Sequence, residues 1–81
     1  MNIYVGNLSP KTSASQLRKA FEMYGKVDTV SLDNRPRDDD VYAFCFVAMP
    51  FENQASRAIK QMDGKKLGGN DLTVKESGVS V

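Results

Sequence analysis

The sequence predicts an α+β fold in which two helices cover one face of a four-stranded antiparallel sheet. Three observations support it: four segments rich in β-forming residues, two segments with apolar residues at helical spacing, and their order along the chain. That order is strand, helix, strand, strand, helix, strand, which is the ferredoxin-like, split βαβ pattern. Its connections place the first and third strands side by side in the middle of the sheet. The 81 residues suffice for one domain, predicted over residues 1–76 and followed by a flexible tail over residues 77–81.

The first strand is predicted over residues 2–6. Side chains alternate between the two faces of a strand, so Ile3 and Val5 share one face while Tyr4 lies on the other. Gly6 is on the Tyr4 side, where we expect it to leave the backbone accessible.

A helix follows a loop that the turn-forming residues 7–12 predict. Ser13 and Gln16 fit a capping box, in which the serine hydroxyl accepts a backbone hydrogen bond and the glutamine side chain reaches back to the cap. The apolar stripe behind this cap comprises Leu17, Ala20, Phe21 and Tyr24. Helices commonly end at a left-handed glycine, so this helix is predicted to stop at Gly25.

The third strand, predicted over residues 41–49, is the centre of the sheet and contains neither proline nor glycine. It follows a second strand over residues 27–32 and a loop over residues 33–40. One face of the third strand carries Tyr42, Phe44, Phe46 and Ala48. The opposite face carries Ala43, Cys45, Val47 and Met49. Because both faces are apolar, the strand is either buried on both sides or keeps an aromatic face open for a ligand.

The second helix is predicted from Phe51 to about Met62. Its buried stripe comprises Ala55, Ala58, Ile59 and Met62. A turn is predicted over residues 65–70, and the last strand over residues 71–76.

Since both helices pack on one face, the other face of the central strands stays open, and Tyr4, Phe44 and Phe46 come together on it. These rings either bind a ligand or only stabilise the sheet as cross-strand pairs. Three aromatic side chains make a large apolar patch for a small domain, which favours a ligand.

The composition excludes several classes of function. Eleven basic and 10 acidic residues give a net charge of +1, too balanced for a protein that holds nucleic acid by bulk electrostatics. The chain lacks histidine, the commonest general acid–base group, and we predict neither an enzyme nor a cofactor. A single cysteine permits no internal disulfide and suits a reducing compartment. With no membrane-spanning apolar run and no signal peptide in this numbering, a cytoplasmic location is expected. We also expect a monomer.

The sequence resembles the RNA recognition motif family over essentially its whole length. Residues Ile3–Leu8 match the hexamer of that family at every position, and Tyr42–Met49 aligns with its octamer. The helical segments Leu17–Phe21 and Ala58–Gly64 are also similar to those of the family. The small single-domain bacterial members are the most similar.

Several positions depart from the family pattern. Tyr42 replaces the usual basic residue that opens the octamer, and Ala43 replaces its glycine. Cys45 stands at a position usually held by glycine or alanine, where we expect a small core residue, and Met49 at one usually aromatic. Asn70 stands where many members carry arginine. The loss of the basic residue removes a cation that would pair with a phosphate.

The resemblance implies single-stranded RNA binding, with bases stacked on Tyr4 and Phe46 while Phe44 packs against the sugars between them. Tyr42 would extend this aromatic surface, and single-stranded DNA is a possible second ligand. The residues expected to border the rings or to close over the strand are Asn2, Thr29, Ser31, Arg35, Arg37, Thr73 and Lys75.

Two other functions compete with RNA binding. A protein-interaction module could hold a peptide or protein partner on an exposed sheet or helix face, and the near-neutral charge favours it. An acylphosphatase-like enzyme would need a basic phosphate-binding loop after the first strand, which residues 7–10 do not provide. Asp38–Asp40 lack the ligand spacing of a metal site, and none is predicted.

Overall fold

The computed structural model describes residues 1–9, 11–37 and 40–77, and for residues 33–37 and 40–43 it describes the backbone. Its elements are β1 (Asn2–Leu8), α1 (Ala14–Glu22), β2 (Thr29–Arg37), β3 (Asp40–Ala48), α2 (Glu52–Met62), β4 (Lys66–Leu67), β5 (Asn70–Asp71) and β6 (Thr73–Glu76). Antiparallel pairing in the order β2-β3-β1-β6 forms the main sheet, and β4 and β5 form a separate hairpin. The predicted α+β, ferredoxin-like fold is therefore confirmed. No helix in the described part of the chain is long and apolar enough to cross a membrane.

The core lies between the two helices and one face of the sheet. Leu17 and Phe21 of α1 are fully buried, as are Ala55 and Ala58 of α2. The sheet contributes Ile3, Val5, Cys45, Val47 and Val74 to the same cluster. These side chains follow the periods that the sequence predicts, 3.6 residues in the helices and two in the strands.

The predicted start of α1 is confirmed, and its predicted end is corrected. Its capping box is present: the Gln16 backbone N–H donates to Ser13 Oγ at 3.2 Å, and the Ser13 N–H donates to Gln16 Oε1 at 2.9 Å. The helix ends at Glu22 rather than at Gly25, because the Tyr24 N–H already turns back to the Phe21 carbonyl at 3.0 Å. Gly25 instead lies against the side chain of Gln54, which occupies the space that a Cβ on residue 25 would need.

The loop predicted over residues 33–40 is wrong for residues 33–37 and 40, and residues 38–39 lie outside the described residues. β2 continues to Arg37 and β3 begins at Asp40, with Asp33 opposite Phe44 and Arg37 opposite Asp40. Strand pairing is made by backbone groups, so it continues beyond Leu32, where the apolar alternation of the sequence ends. Pro36 is tolerated because β2 is an edge strand, whose outer side needs no donor.

The C-terminal region also differs from the prediction. The last strand begins at Thr73, since Asp71 belongs to the β4–β5 hairpin. Gly68 and Gly69 make the two-residue turn of that hairpin with φ of 62° and 89°, a left-handed conformation that glycine adopts without strain. The predicted tail over residues 77–81 lies outside the described residues apart from Ser77.

Candidate nucleic-acid interface

The face of the main sheet that neither helix covers, here called the open face, brings three aromatic rings together. Tyr4 and Phe46 are direct partners in the β1–β3 ladder. Their ring centroids are 5.8 Å apart in an edge-on arrangement, and Phe44 and Phe46 meet in the same way at 5.9 Å. The Tyr4 and Phe44 rings are 6.4 Å apart and inclined by only 24°. All three side chains are partly exposed, so this ring cluster offers apolar surface to a ligand.

The ring cluster depends on strand alternation within β3. Cys45 and Val47, which alternate with the two phenylalanines, are completely buried against the helices. A shift by one residue would exchange the two sets, so the buried face fixes which residues lie on the open face.

Tyr4 lies low over its own strand. Gly6, two residues further along β1, is buried, and the nearest atoms to a side chain built there belong to the Tyr4 ring. The expectation that Gly6 leaves the backbone accessible is therefore wrong, because the tyrosine ring covers it.

Lys75 adds a positive charge to the ring cluster. It is the partner of Tyr4 in the β1–β6 ladder and is exposed, with its Nζ 5.4 Å from the centroid of the Tyr4 ring. A cation in this position is attracted by the electron density of the ring face. Lys75 was expected at the border, whereas it lies directly over one of the rings.

The polar residues predicted to border the rings take register positions beside them. Ser31 pairs with Phe46, Thr73 pairs with Gly6, and Ala48 pairs with both Thr29 and Asn2. Thr29, Ser31 and Thr73 are exposed, and Asn2 is partly buried. The open face therefore has hydrogen-bonding groups along both of its outer strands.

The remaining three predicted site residues lie in the extended β2–β3 pair. The backbone of Arg35 pairs with that of Tyr42, and that of Arg37 pairs with Asp40. Among the described residues, the pairing of β1 with β3 ends at Leu8 opposite Ala43, so these positions continue the ladder as two strands only. For Arg35, Arg37 and Tyr42, the structure describes the backbone and not the side chain.

Cys45 is part of the core, as the sequence predicts. Burial raises the pKa of its thiol to about 11, and a hydrogen bond with the backbone of Ser31 lowers it by less. The Sγ donates to the Phe46 carbonyl at 3.6 Å. A thiol that stays protonated at neutral pH is a poor nucleophile and a poor metal ligand.

Sequence reasoning overlooked two features of this site. One is the contact between Gly6 and the Tyr4 ring, which the spacing of two residues on one strand face could have indicated. The other is the position of Lys75 over that ring, which follows only from the register between β1 and β6.

Comparison with known proteins identifies the family. The model of the RNA recognition motif family matches residues 3–73. RbpD, a putative RNA-binding protein of Nostoc sp., is 35% identical over 77 residues, which are 95% of this chain and 82% of RbpD. Other curated relatives are longer, and the chain spans 24% of one and 53% of another.

Solved structures agree with this assignment. The RNA-binding protein PG1 has a TM-score of 0.87 and 34% identity, with 100% of this chain and 98% of PG1 covered. The RNA recognition motif of Rna15, solved with bound GU RNA, shares the fold with a TM-score of 0.83 at 17% identity, covering 99% of this chain and 85% of the Rna15 chain. On the family match and the similarity to RbpD and PG1, this chain belongs to the RNA recognition motif family.

Proposed function

We propose that this chain binds single-stranded RNA by stacking bases on Tyr4 and Phe46, while Phe44 contacts the sugars between them. Membership of the family and the RNA-binding names of RbpD and PG1 support RNA as the ligand. The observation that carries the proposal is the ring cluster: three contacting rings, partly exposed, on the face that the helices leave uncovered. Rings that served only the core would lie on the side of Cys45 and Val47.

Stacking supplies enough free energy for a modest affinity. Each base stacked on an aromatic ring contributes about 1–3 kcal/mol, and any base can stack because all have a π-face. The cost of ordering the RNA strand and the side chains offsets part of this gain. About two or three stacked bases then correspond to a dissociation constant on the order of micromolar.

Polar groups next to the rings would read base edges, sugars and phosphates. Hydroxyl groups of Thr29, Ser31 and Thr73 can donate or accept hydrogen bonds, and Lys75 can donate to a carbonyl oxygen or a phosphate. We include Asn2, which borders the rings, and Arg35, Arg37 and Tyr42, whose backbones continue the β2–β3 ladder past Phe44. A hydroxyl that bonds the ribose 2′-OH would favour RNA over single-stranded DNA.

A protein-interaction module is the second candidate, and two exposed apolar side chains favour it. Met23, after α1, is 80% exposed, and Phe51, before α2, is 51% exposed. The two helix ends are neighbours, because the Lys26 backbone N–H donates to Gln54 Oε1 at 2.9 Å. A partner at this end of the helices would leave the open face free.

An NMR titration with short RNA of random sequence separates the two candidates. We expect ring signals of Tyr4, Phe44 and Phe46 to shift at micromolar to millimolar RNA, while those of Met23 and Phe51 stay in place. Unchanged ring signals at the highest RNA concentration would reject RNA stacking and leave the protein partner. The same titration with single-stranded DNA measures the preference for ribose.

We also propose that the chain acts as a monomer in the cytoplasm. A monomer keeps the whole open face available to the RNA. Sedimentation equilibrium tests the oligomeric state, since a molecular mass that rises with protein concentration would contradict a monomer.

A further inference from the structure

Gly6 does not have the left-handed backbone for which glycine is usually required. Among the described residues, the glycines with positive φ are Gly25, Gly64, Gly68 and Gly69, and Gly6 is not one of them. It pairs with Thr73 of β6, while the ladder with β3 is irregular between Val5 and Leu8. Glycine weakens the interior of a strand, because it loses the most conformational freedom on folding and has no side chain to pack.

The space above Gly6 is taken by Tyr4. An ideal Cβ on Gly6 would lie 2.7 Å from Tyr4 Oη, 2.8 Å from Cε1 and 3.0 Å from Cζ. These are its three closest contacts, and all belong to the outer part of one phenol ring. The missing Cβ thus lets this ring lie against the backbone of β1.

We infer that Gly6 is a positioning residue for base stacking, because it allows the Tyr4 ring to lie low on the sheet, nearly parallel to the Phe44 ring. A methyl group at position 6 would push the phenol away from β1 and change its inclination to Phe44. The phenol is the free end of a side chain, so it can move without disturbing the strand. This inference rests on the proposed stacking function.

The substitution Gly6→Ala therefore has opposite effects on folding and on binding. We expect a melting temperature equal to or above that of the unmodified protein, since alanine is better tolerated in a strand. We expect the affinity for short random single-stranded RNA to fall by about threefold or more, a fraction of one stacking interaction. The ring signals of Tyr4 should shift even without RNA.

A double-mutant cycle with Tyr4→Leu isolates the role of the ring. Leucine keeps an apolar side chain but has no flat surface, so Gly6→Ala should cause no further loss of affinity in the Tyr4→Leu background. An equal loss in both backgrounds would overturn the inference, because Gly6 would then act through the backbone or contact RNA itself. Unchanged affinity in Gly6→Ala, or a lowered melting temperature, would overturn it as well.

The cycle also separates this inference from the proposed function. If Tyr4→Leu alone binds RNA as well as the unmodified protein, stacking on Tyr4 is rejected. The RNA-free ring signals of Gly6→Ala then still test the packing: a shifted Tyr4 ring supports the positional role of Gly6, and an unchanged ring rejects it.

Discussion

The two faces of β3 differ in what their side chains contribute. Cys45 and Val47 are completely buried under the helices, whereas Phe44 and Phe46, their neighbours along the chain, are partly exposed on the open face. The strand backbone is the same for both sets, so only the surroundings differ. Under the proposed function, stability depends mainly on the helix-covered face and RNA binding on the open face. Identical substitutions on the two faces should therefore have different consequences.

The largest effect is expected for Phe21→Ala on the helix-covered side. Phe21 is completely buried in the core, so truncation removes apolar contacts and leaves a cavity. We expect a loss of about 3–5 kcal/mol in the free energy of unfolding, a large part of the stability of a small domain. Urea denaturation followed by circular dichroism measures it. A loss below that of the matched Phe46→Ala variant would reverse the assignment of the two faces.

Phe46→Ala makes the same chemical change on the open face. Here we expect a loss of less than about 1 kcal/mol in stability, the size of a cross-strand pair. RNA affinity should fall more than about tenfold, because one stacking ring is lost. Fluorescence anisotropy with labelled single-stranded RNA measures this change. Equal losses of folding and binding would show that Phe46 belongs to the core.

The buried side of β3 also predicts a pH dependence. Because burial raises the pKa of Cys45 to about 11 from 9.0, the folded state keeps the thiol proton after the unfolded chain has released it. The contribution of this thiol to stability is complete below about pH 9 and is lost as the pH rises from about 9 to about 11, by up to about 2 kcal/mol.

Cys45→Ala is the control for this pH dependence. Other groups that titrate at high pH are common to both proteins, so the difference between the two urea-unfolding curves reports the thiol alone. A stability difference between the proteins that does not change between pH 9 and 11 would contradict the burial of the thiol. Phe46→Ala should not alter the pH effect, since it truncates the other face.

Much of this two-faced arrangement follows from sequence periodicity alone. Alternation along residues 44–49 separates the rings from the core residues, and the apolar stripe of each helix identifies the side that packs on the sheet. The capping box at Ser13 could also be predicted from the sequence, because its hydrogen bonds join residues three apart. Local rules suffice for features of this kind.

Features that depend on the length or the exact register of paired strands could not be predicted from the sequence. β2 continues to Arg37 because β3 offers a backbone to pair with, although the residues after Leu32 are polar and include Pro36. The two-residue strands β4 and β5 are too short to have a period, although Gly68 and Gly69 indicate a tight turn. The placement of Lys75 over Tyr4 likewise required the register of two strands distant in sequence.

The smallest effect is expected for the charge on the open face. Lys75→Met keeps a flexible, largely apolar side chain but removes the ammonium group 5.4 Å from the Tyr4 ring. If stacking dominates, affinity at low salt should fall only about two- to threefold. The slope of log affinity against log salt should become shallower by about 0.7, the value for one phosphate of a single strand.

The matched control is Lys60→Met. Lys60 is exposed on α2, and α2 packs against the other face of the sheet. The charge of Lys60 should therefore not alter the salt slope. A steep slope that both variants reduce equally would mean that the RNA is held by the overall charge of the domain and not by the open face. A large loss of affinity in Lys75→Met with no change in slope would instead assign Lys75 to a base edge, because a contact with a neutral base releases no counterion from the phosphates.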